Sequence, residues 1–268
     1  MFRVAYKIFR YSGLLATLTS RELKARYRGS VLGFFWSLAN PLLLLAVYTF
    51  VFSVVFKPDA RGGMTPYALF LVSGLFPWIW VSASALEGSM SLLANSGLIR
   101  KAVFPAELLP MVSVFSNLVH LLFALPIVMV ALAAGRLIGY PVGGISVLAL
   151  PAILLLHLPM VAGLALGASA LTVHFKDVRD LLANFLTLMF FLTPILFSLD
   201  SIRHIAPVWW AVRLNPFTPF ILAYQDVLFR GRLPEPILWA QMALVSLFAW
   251  VVGAGLFDRL RETLVEAA

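Results

Sequence analysis

A basic collar fused directly to a long uncharged run dominates the N-terminal part of this chain. Residues 20–57 read SRELKARYRGSVLGFFWSLANPLLLLAVYTFVFSVVFK. Arg21, Glu22, Lys24, Arg26 and Arg28 crowd together, and then no charged side chain occurs from Gly29 to Phe56. A helix rises about 1.5 Å per residue, so about 20 apolar residues cross the hydrocarbon core of a bilayer. The stretch therefore reads as a membrane span entered from a basic collar. Lys and Arg are retained on the cytoplasmic side, which predicts a cytoplasmic collar.

The rest of the chain has the same character. It is 62% hydrophobic and 12% charged, against about 25% charged residues in an average soluble domain. One protein core cannot hide that much apolar surface, so lipid has to serve as solvent for much of it. The net charge of +8 matches basic residues at span ends facing anionic headgroups, rather than a nucleic-acid surface. The chain has no cysteine, which excludes disulfides and thiolate metal sites. No cleavable signal peptide is expected, because the first apolar run is too long for one.

Uncharged runs place the other spans. The second lies within Gly62–Leu86 and extends past Glu87 towards Ala94. The third lies between Glu107 and Arg136, and the fourth within Ile145–Val173. The fifth begins after Asp180 and ends near Ser198, and the sixth lies between Glu235 and Asp258. The expected fold is an all-α polytopic membrane protein with six transmembrane helices and both termini on one side. Residues 1–30 form an interface segment, 31–257 the six spans and 258–268 a cytoplasmic tail, in one domain. Most of the 20 basic residues, including Arg3, Lys7, Arg10, Arg100, Lys101, Lys176, Arg179 and Arg259, fall on the N-terminal side. That bias predicts cytoplasmic termini.

Phe2, Val4, Ala5, Ile8 and Phe9 alternate with Arg3, Lys7 and Arg10, the pattern of an amphipathic interfacial helix. A disordered basic tail is the other reading. The connection 199–235 is long, yet rich in Trp, Phe and Tyr. Asn215-Pro216 and Thr218-Pro219 read as a helix start, with Asn or Thr capping and Pro in the first turn. Two short helices dipping back into the outer leaflet are expected here, with an aromatic-rich soluble loop as the alternative.

Several chemistries are excluded. A P-loop needs Gly-Lys, so that glycine amides wrap the phosphates and the lysine reaches the outer ones. The five lysines follow Tyr6, Leu23, Phe56, Arg100 and Phe175, so the chain carries no Walker A motif. His120, His157, His174 and His204 are scattered, with no His-Glu-x-x-His, and lone histidines within spans read as interhelical hydrogen-bonders. Asp177 and Asp180 read as a solvated turn. No catalytic residue, metal site or cofactor is expected in this chain.

The span interiors carry polar and aromatic stripes at helical spacing. In the first span these are Ser37, Asn40, Tyr48 and Phe52, beside Trp36; in the second, Ser73, Trp80, Ser84, Glu87 and Ser91. Asn117, His120 and Ala124 align in the third; Asn184, Thr187 and Phe191 align in the fifth, flanked by Phe190 and Phe197. Two readings stand side by side. Small and hydroxyl residues glue helices together, as Gly163-x-x-x-Gly167 suggests. Aromatic faces with scattered hydroxyls also suit sugar rings. For the first and fifth spans the second reading predicts a substrate channel through Trp36, Ser37, Asn40, Tyr48, Phe52, Phe190, Phe191 and Phe197, joined by Trp80 of the second span. A carboxylate at Glu87 has to face protein or water.

The strings RELKARYRGSVLGFFWSLANPLL, SGLFPWIWVSASALEGSMSLLANSGLIRKAVFPAELLP, HFKDVRDLL and FLTPILFSL, followed by LNPFTPFILAYQDVLF, resemble the permease subunit of type-2 ABC exporters. The resembling members export bacterial surface polysaccharides such as O-antigen, teichoic acid and capsule. The resemblance covers essentially the whole chain. It implies six spans, an N-terminal interface helix and outward-facing re-entrant helices between spans five and six. It implies a homodimer in the inner membrane around one path, moving a lipid-linked polysaccharide. Two copies of a separate P-loop ATPase would bind ATP and Mg. The short helix Asn95–Phe104, with Gly97, Arg100 and Lys101, would contact that ATPase beside the collar residues Arg21, Glu22, Lys24 and Arg28. Asn215, Phe217, Phe220 and Tyr224 fall in the outward segment and are the candidate gate. A permease for a drug or small lipid, and a membrane-embedded transferase using Glu87 and His120, are the alternatives.

Overall fold

The computed structural model describes residues 2–29, 35–51, 64, 66–97 and 104–267. Among them all regular structure is helical. In chain order the α-helices are α1 (Phe2–Arg10), α2 (Ser12–Arg26), α3 (Trp36–Thr49), α4 (Tyr67–Ala94), α5 (Leu108–Leu137), α6 (Leu150–His174), α7 (Val178–Leu192), α8 (Ala206–Leu214), α9 (Thr218–Tyr224) and α10 (Pro236–Ala267). A 3-10 turn, Ile145–Ala149, leads into α6, another, Leu199–Ile202, precedes α8, and a π-turn, Gln225–Phe229, follows α9.

Among the described residues four helices are long and apolar enough to cross a membrane: α4, α5, α6 with its leading turn, and α10. The described helices in the other two expected spans cover less. α3 has 14 residues and α7 has 15, or about 21–23 Å at the α-helical rise, against a ~30 Å core. The residues flanking α3 at 30–34 and 52–63 lie outside the described residues. α10 continues as helix through residues 258–267, the expected tail.

α4 is the hub. In its most apolar window 78% of residues are buried within the chain, against 28%, 39% and 22% for α5, α6 and α10. Phe70, Leu71, Trp80, Val81, Ala85 and Leu92 are all at or below 1% exposure. The outer helices turn their remaining apolar faces outward, as lipid solvation requires; Leu155, Leu244, Leu247 and Phe248 are each at least 61% exposed.

α6 and α10 pack backbone against backbone. A side chain on Gly163 would collide with the carbonyl of Ala249, and one on Gly253 with Gly163 itself. A Cβ at Gly167 would stand 3.3 Å from the Gly253 Cα. The Gly163-x-x-x-Gly167 spacing thus marks a close helix crossing, where small residues let backbones meet.

The N-terminal helices are fastened to this bundle. Lys7 Nζ lies 2.7 Å from Glu107 Oε1, and the Glu107 side chain is only 2% exposed. Val4 and Leu15 are buried, while Phe2 and Phe9 remain exposed. α1 is therefore amphipathic, as the pattern of the first ten residues predicts; it is also docked on the bundle through Lys7, which that pattern had grouped with the water-facing cations.

The 199–235 connection does hold two short helices. Asn215 works as a local clasp: its Oδ1 accepts from Phe217 N–H at 3.0 Å, and its amide donates to Thr193 Oγ1 at 2.9 Å and the Leu192 carbonyl at 3.1 Å. Pro219 sits in the first turn of α9, where its missing N–H costs nothing. At the far end the buried Asp226 accepts from Arg230 and Arg232, both at 2.9 Å. Gln225 donates to the Pro194 carbonyl at 2.7 Å. α9 is buried and α8 largely exposed.

Candidate functional site

The polar stripes of α4 and α5 face each other across a cleft of about 540 Å³. Phe76, Ile79, Trp80, Ala83 and Glu87 line it from α4, at the 3–4-residue spacing of one helix face. Asn117, His120, Leu121 and Ala124 line it from α5. Trp36 and Leu44 of α3 and Arg26 and Tyr27 at the end of α2 complete the wall.

A closed set of hydrogen bonds holds one end of the cleft. Arg26 Nη2 lies 2.7 Å from Glu87 Oε2. Asn117 Nδ2 donates to the same oxygen at 2.7 Å, and to the Ser113 carbonyl at 2.9 Å. Arg26 Nη1 donates to Asn117 Oδ1 at 3.3 Å. Beside them Tyr27 OH and His120 Nδ1 are 3.3 Å apart. The carboxylate that is costly within a span thus meets a guanidinium and an amide. Three segments distant in sequence are tied at one point. His120 is an interhelical hydrogen-bonder, and so is His157, 3.3 Å from Tyr224 OH. His120 Nε2 is buried and meets no partner among the described residues.

The aromatic residues divide by burial. Trp36 is 38% exposed and Phe191 60% exposed, while Phe190 and Phe197 are half-buried. Phe190 leans on Trp78 at 5.9 Å between ring centroids, and Phe191 edges against Phe190 at 5.3 Å. Trp80 forms the cleft floor but is 1% exposed; its Nε1 donates to the Val114 carbonyl at 3.1 Å, and its ring meets His157 edge-on at 5.1 Å. Asn184, Thr187 and Phe191 form an exposed polar–aromatic face on α7. Phe52 and the side chains of Ser37, Asn40 and Tyr48 lie outside the described residues.

Arg21, Glu22, Lys24 and Arg28 are all exposed on α2 and the turn after it. A groove of about 500 Å³ runs between Arg21 and Glu22 on one bank and Ala94, Asn95 and Val112 on the other. The collar and the start of the 95–104 segment therefore border the same groove. Gly97 is exposed; Arg100 and Lys101 lie outside the described residues. In the 199–235 connection Asn215, Phe217, Phe220 and Tyr224 are buried, with Phe220 stacked on His157 at 4.2 Å and Phe217 edge-on to Trp78 at 5.1 Å.

Sequence reasoning treated Arg26 only as part of the collar, and Glu107 only as a span boundary. The signal for both was a carboxylate at a span edge, which needs a partner; the partner's identity lay too far away along the chain to be read.

The chain is similar in sequence to known proteins along nearly its whole length. The O-antigen export system permease protein RfbA of Myxococcus xanthus is 34% identical over 100% of both chains. A protein of the same name from Klebsiella pneumoniae is 30% identical over 98% of each. The polysialic acid transport protein KpsM of Escherichia coli is 22% identical over 91% of this chain and 92% of its own. The model of the ABC-2 type transporter family matches residues 13–229, and with its multi-pass apolar helices the chain belongs to that family.

Proposed function

We propose that this protein is the transmembrane permease subunit of an ATP-driven exporter that moves a lipid-linked surface polysaccharide across the cytoplasmic membrane. Its full-length relatives are O-antigen and polysialic acid transport proteins. The working unit is a homodimer with two copies of a separate P-loop ATPase, which binds ATP and Mg. α3 and α7 serve as the first and fifth of six spans, with both termini cytoplasmic, and α8 and α9 re-enter the outer leaflet. The whole chain acts as one transmembrane domain.

One observation carries the mechanism: the helix that displays Arg21, Glu22 and Lys24 outward ends in Arg26, which grips Glu87 and Asn117 at the cleft. The ATPase docks on the exposed collar and on the 95–104 segment, with Asn95, Gly97, Arg100 and Lys101 in contact. Closure of the ATPase moves α2, and the Arg26 fork passes that motion to α4 and α5. A ligand shifts an equilibrium only through its differential affinity for the two states, so the docking contact differs between open and closed forms. The glycan threads past Trp36, Ser37, Asn40, Tyr48 and Phe52 of the first span and Phe190, Phe191 and Phe197 of the fifth. Rings stack on sugar C–H faces while amides and hydroxyls bond the sugar hydroxyls. Trp80 supports that path from the cleft floor. The buried Asn215, Phe217, Phe220 and Tyr224 set the rest position of the outward segment.

Deletion of the gene, with and without complementation, tests this reading. Loss of surface glycan, with lipid-linked glycan accumulating inside, supports it. Unchanged surface glycan with altered sensitivity to a small amphiphile supports a drug or small-lipid permease instead. Co-purification with a P-loop ATPase followed by Arg100→Glu tests the coupling: surviving transport and ATPase stimulation contradict it.

A further inference from the structure

A second cavity has the opposite chemistry. It is a groove of about 520 Å³ beneath α1, walled by α5, α6 and α10. Ile8 and Phe9 roof it; Phe115, Pro159, Leu247 and Trp250 form its sides. Its one hydroxyl, Ser246, already donates to the Leu156 carbonyl. The only other polar side-chain atom among the described lining residues is the Trp250 indole nitrogen, so the groove offers almost nothing to a sugar or an ion. The groove opens beside Phe9 and Leu247, which are 84% and 61% exposed.

The roof is fixed and charged. Lys7 is neutralised by Glu107 at 2.7 Å, which holds α1 down on the bundle. Arg3 and Arg10, seven residues apart and so on one helix face, are exposed and have no acidic partner among the described residues. A basic face above an apolar slot complements a molecule with an anionic head and a hydrocarbon tail.

We propose that this groove seats one acyl chain of an anionic glycerophospholipid from the leaflet faced by α1, with Arg3 and Arg10 attracting its phosphate. The bound lipid fills the space between the interfacial helix and α6 and α10, so that α1 moves with the bundle. The inference rests on the membrane location of the helices and not on the exporter reading; its test reads lipid retention rather than transport.

Full-length protein is reconstituted in vesicles of mixed phosphatidylglycerol and phosphatidylcholine, re-extracted in mild detergent, and its retained lipid counted by native mass spectrometry. Wild type retains one phosphatidylglycerol per chain. Ala243→Phe, which fills the groove from an exposed lining position, lowers that occupancy about tenfold. Leu244→Phe, on the outward face of the same helix, retains the lipid. Arg3→Gln with Arg10→Gln keeps a lipid but loses the preference for phosphatidylglycerol. Undiminished retention in Ala243→Phe, an unchanged headgroup preference in the double variant, or a polyprenyl phosphate as the retained species would overturn the proposal.

Discussion

Arg26 and Glu87 are separated by 61 positions in the chain and meet at 2.7 Å, with Asn117 bonded to both. The pair joins an exposed basic helix to the wall of the polar cleft. Its side chains are 28% and 39% exposed, so water screens it and it contributes at most about 1 kcal/mol to stability. Glu87→Gln is therefore expected to melt close to wild type while surface polysaccharide falls sharply. The exchange Arg26→Glu with Glu87→Arg restores export at least partly. Thermal unfolding in detergent and quantitation of surface glycan measure the two effects separately. A drop in melting temperature that alone accounts for the lost export would make the pair merely structural.

Lys7 and Glu107 present the opposite case, because the carboxylate side chain is only 2% exposed. Removing the cation leaves a buried charge without a partner, costing up to about 3 kcal/mol. Lys7→Met is expected to destabilise the protein and to loosen α1, so that trypsin cuts faster after Arg3 and Arg10. Adding Glu107→Gln recovers most of that loss. Limited proteolysis of the N-terminal segment follows the docking of α1 directly.

The α6–α10 crossing is governed by the absence of side chains. Gly163→Val places two methyls against the Ala249 carbonyl, where backbone cannot yield as a flexible side chain does. The expected destabilisation exceeds the usual overpacking cost of about 1–3 kcal/mol. Gly255→Ala, with nothing within 4 Å of the new methyl, is expected to be silent. Folded yield on size-exclusion chromatography distinguishes them.

Asp226 is 1% exposed and holds both Arg230 and Arg232. Asp226→Asn removes the countercharge and loosens the turn that carries them. Faster tryptic cleavage after Arg230 and Arg232 is the expected readout, with α6 and α10 unaffected.

Much of this architecture was legible because lipid imposes long uncharged runs, and charges that end them are hard to miss. The Gly163-x-x-x-Gly167 spacing pointed to a close crossing, and Pro219 to a helix start, since both are local patterns; the expected Asn or Thr cap is not made, because Phe217 precedes α9 without a side-chain cap and Asn215 instead ends α8. The stripes on α4 and α5 were also visible, but periodicity shows only that residues share a face. It does not say what covers the face. Trp80 and Glu87 lie on one stripe of α4 and both border the cleft, yet Trp80 is sealed at its floor against His157 and Val114 while the Glu87 side chain is 39% exposed. Pairings such as Lys7 with Glu107 depend on how helices approach in three dimensions, and no local signal encodes that. α7 was expected to run on to near Ser198 and ends at Leu192, because hydropathy registers apolar residues whether or not the helix continues through them; the residues flanking α3 lie outside the described ones.

The most direct test is ATP-driven translocation by the reconstituted assembly. The chain and its co-purified ATPase are placed in vesicles with a labelled lipid-linked glycan, and protection of the label from an external glycosidase is followed. The account predicts ATP-dependent movement of the label to the opposite side, abolished by Trp36→Ala and by Glu87→Ala without loss of assembly. Label that stays where it started, or moves equally without ATP, would contradict it.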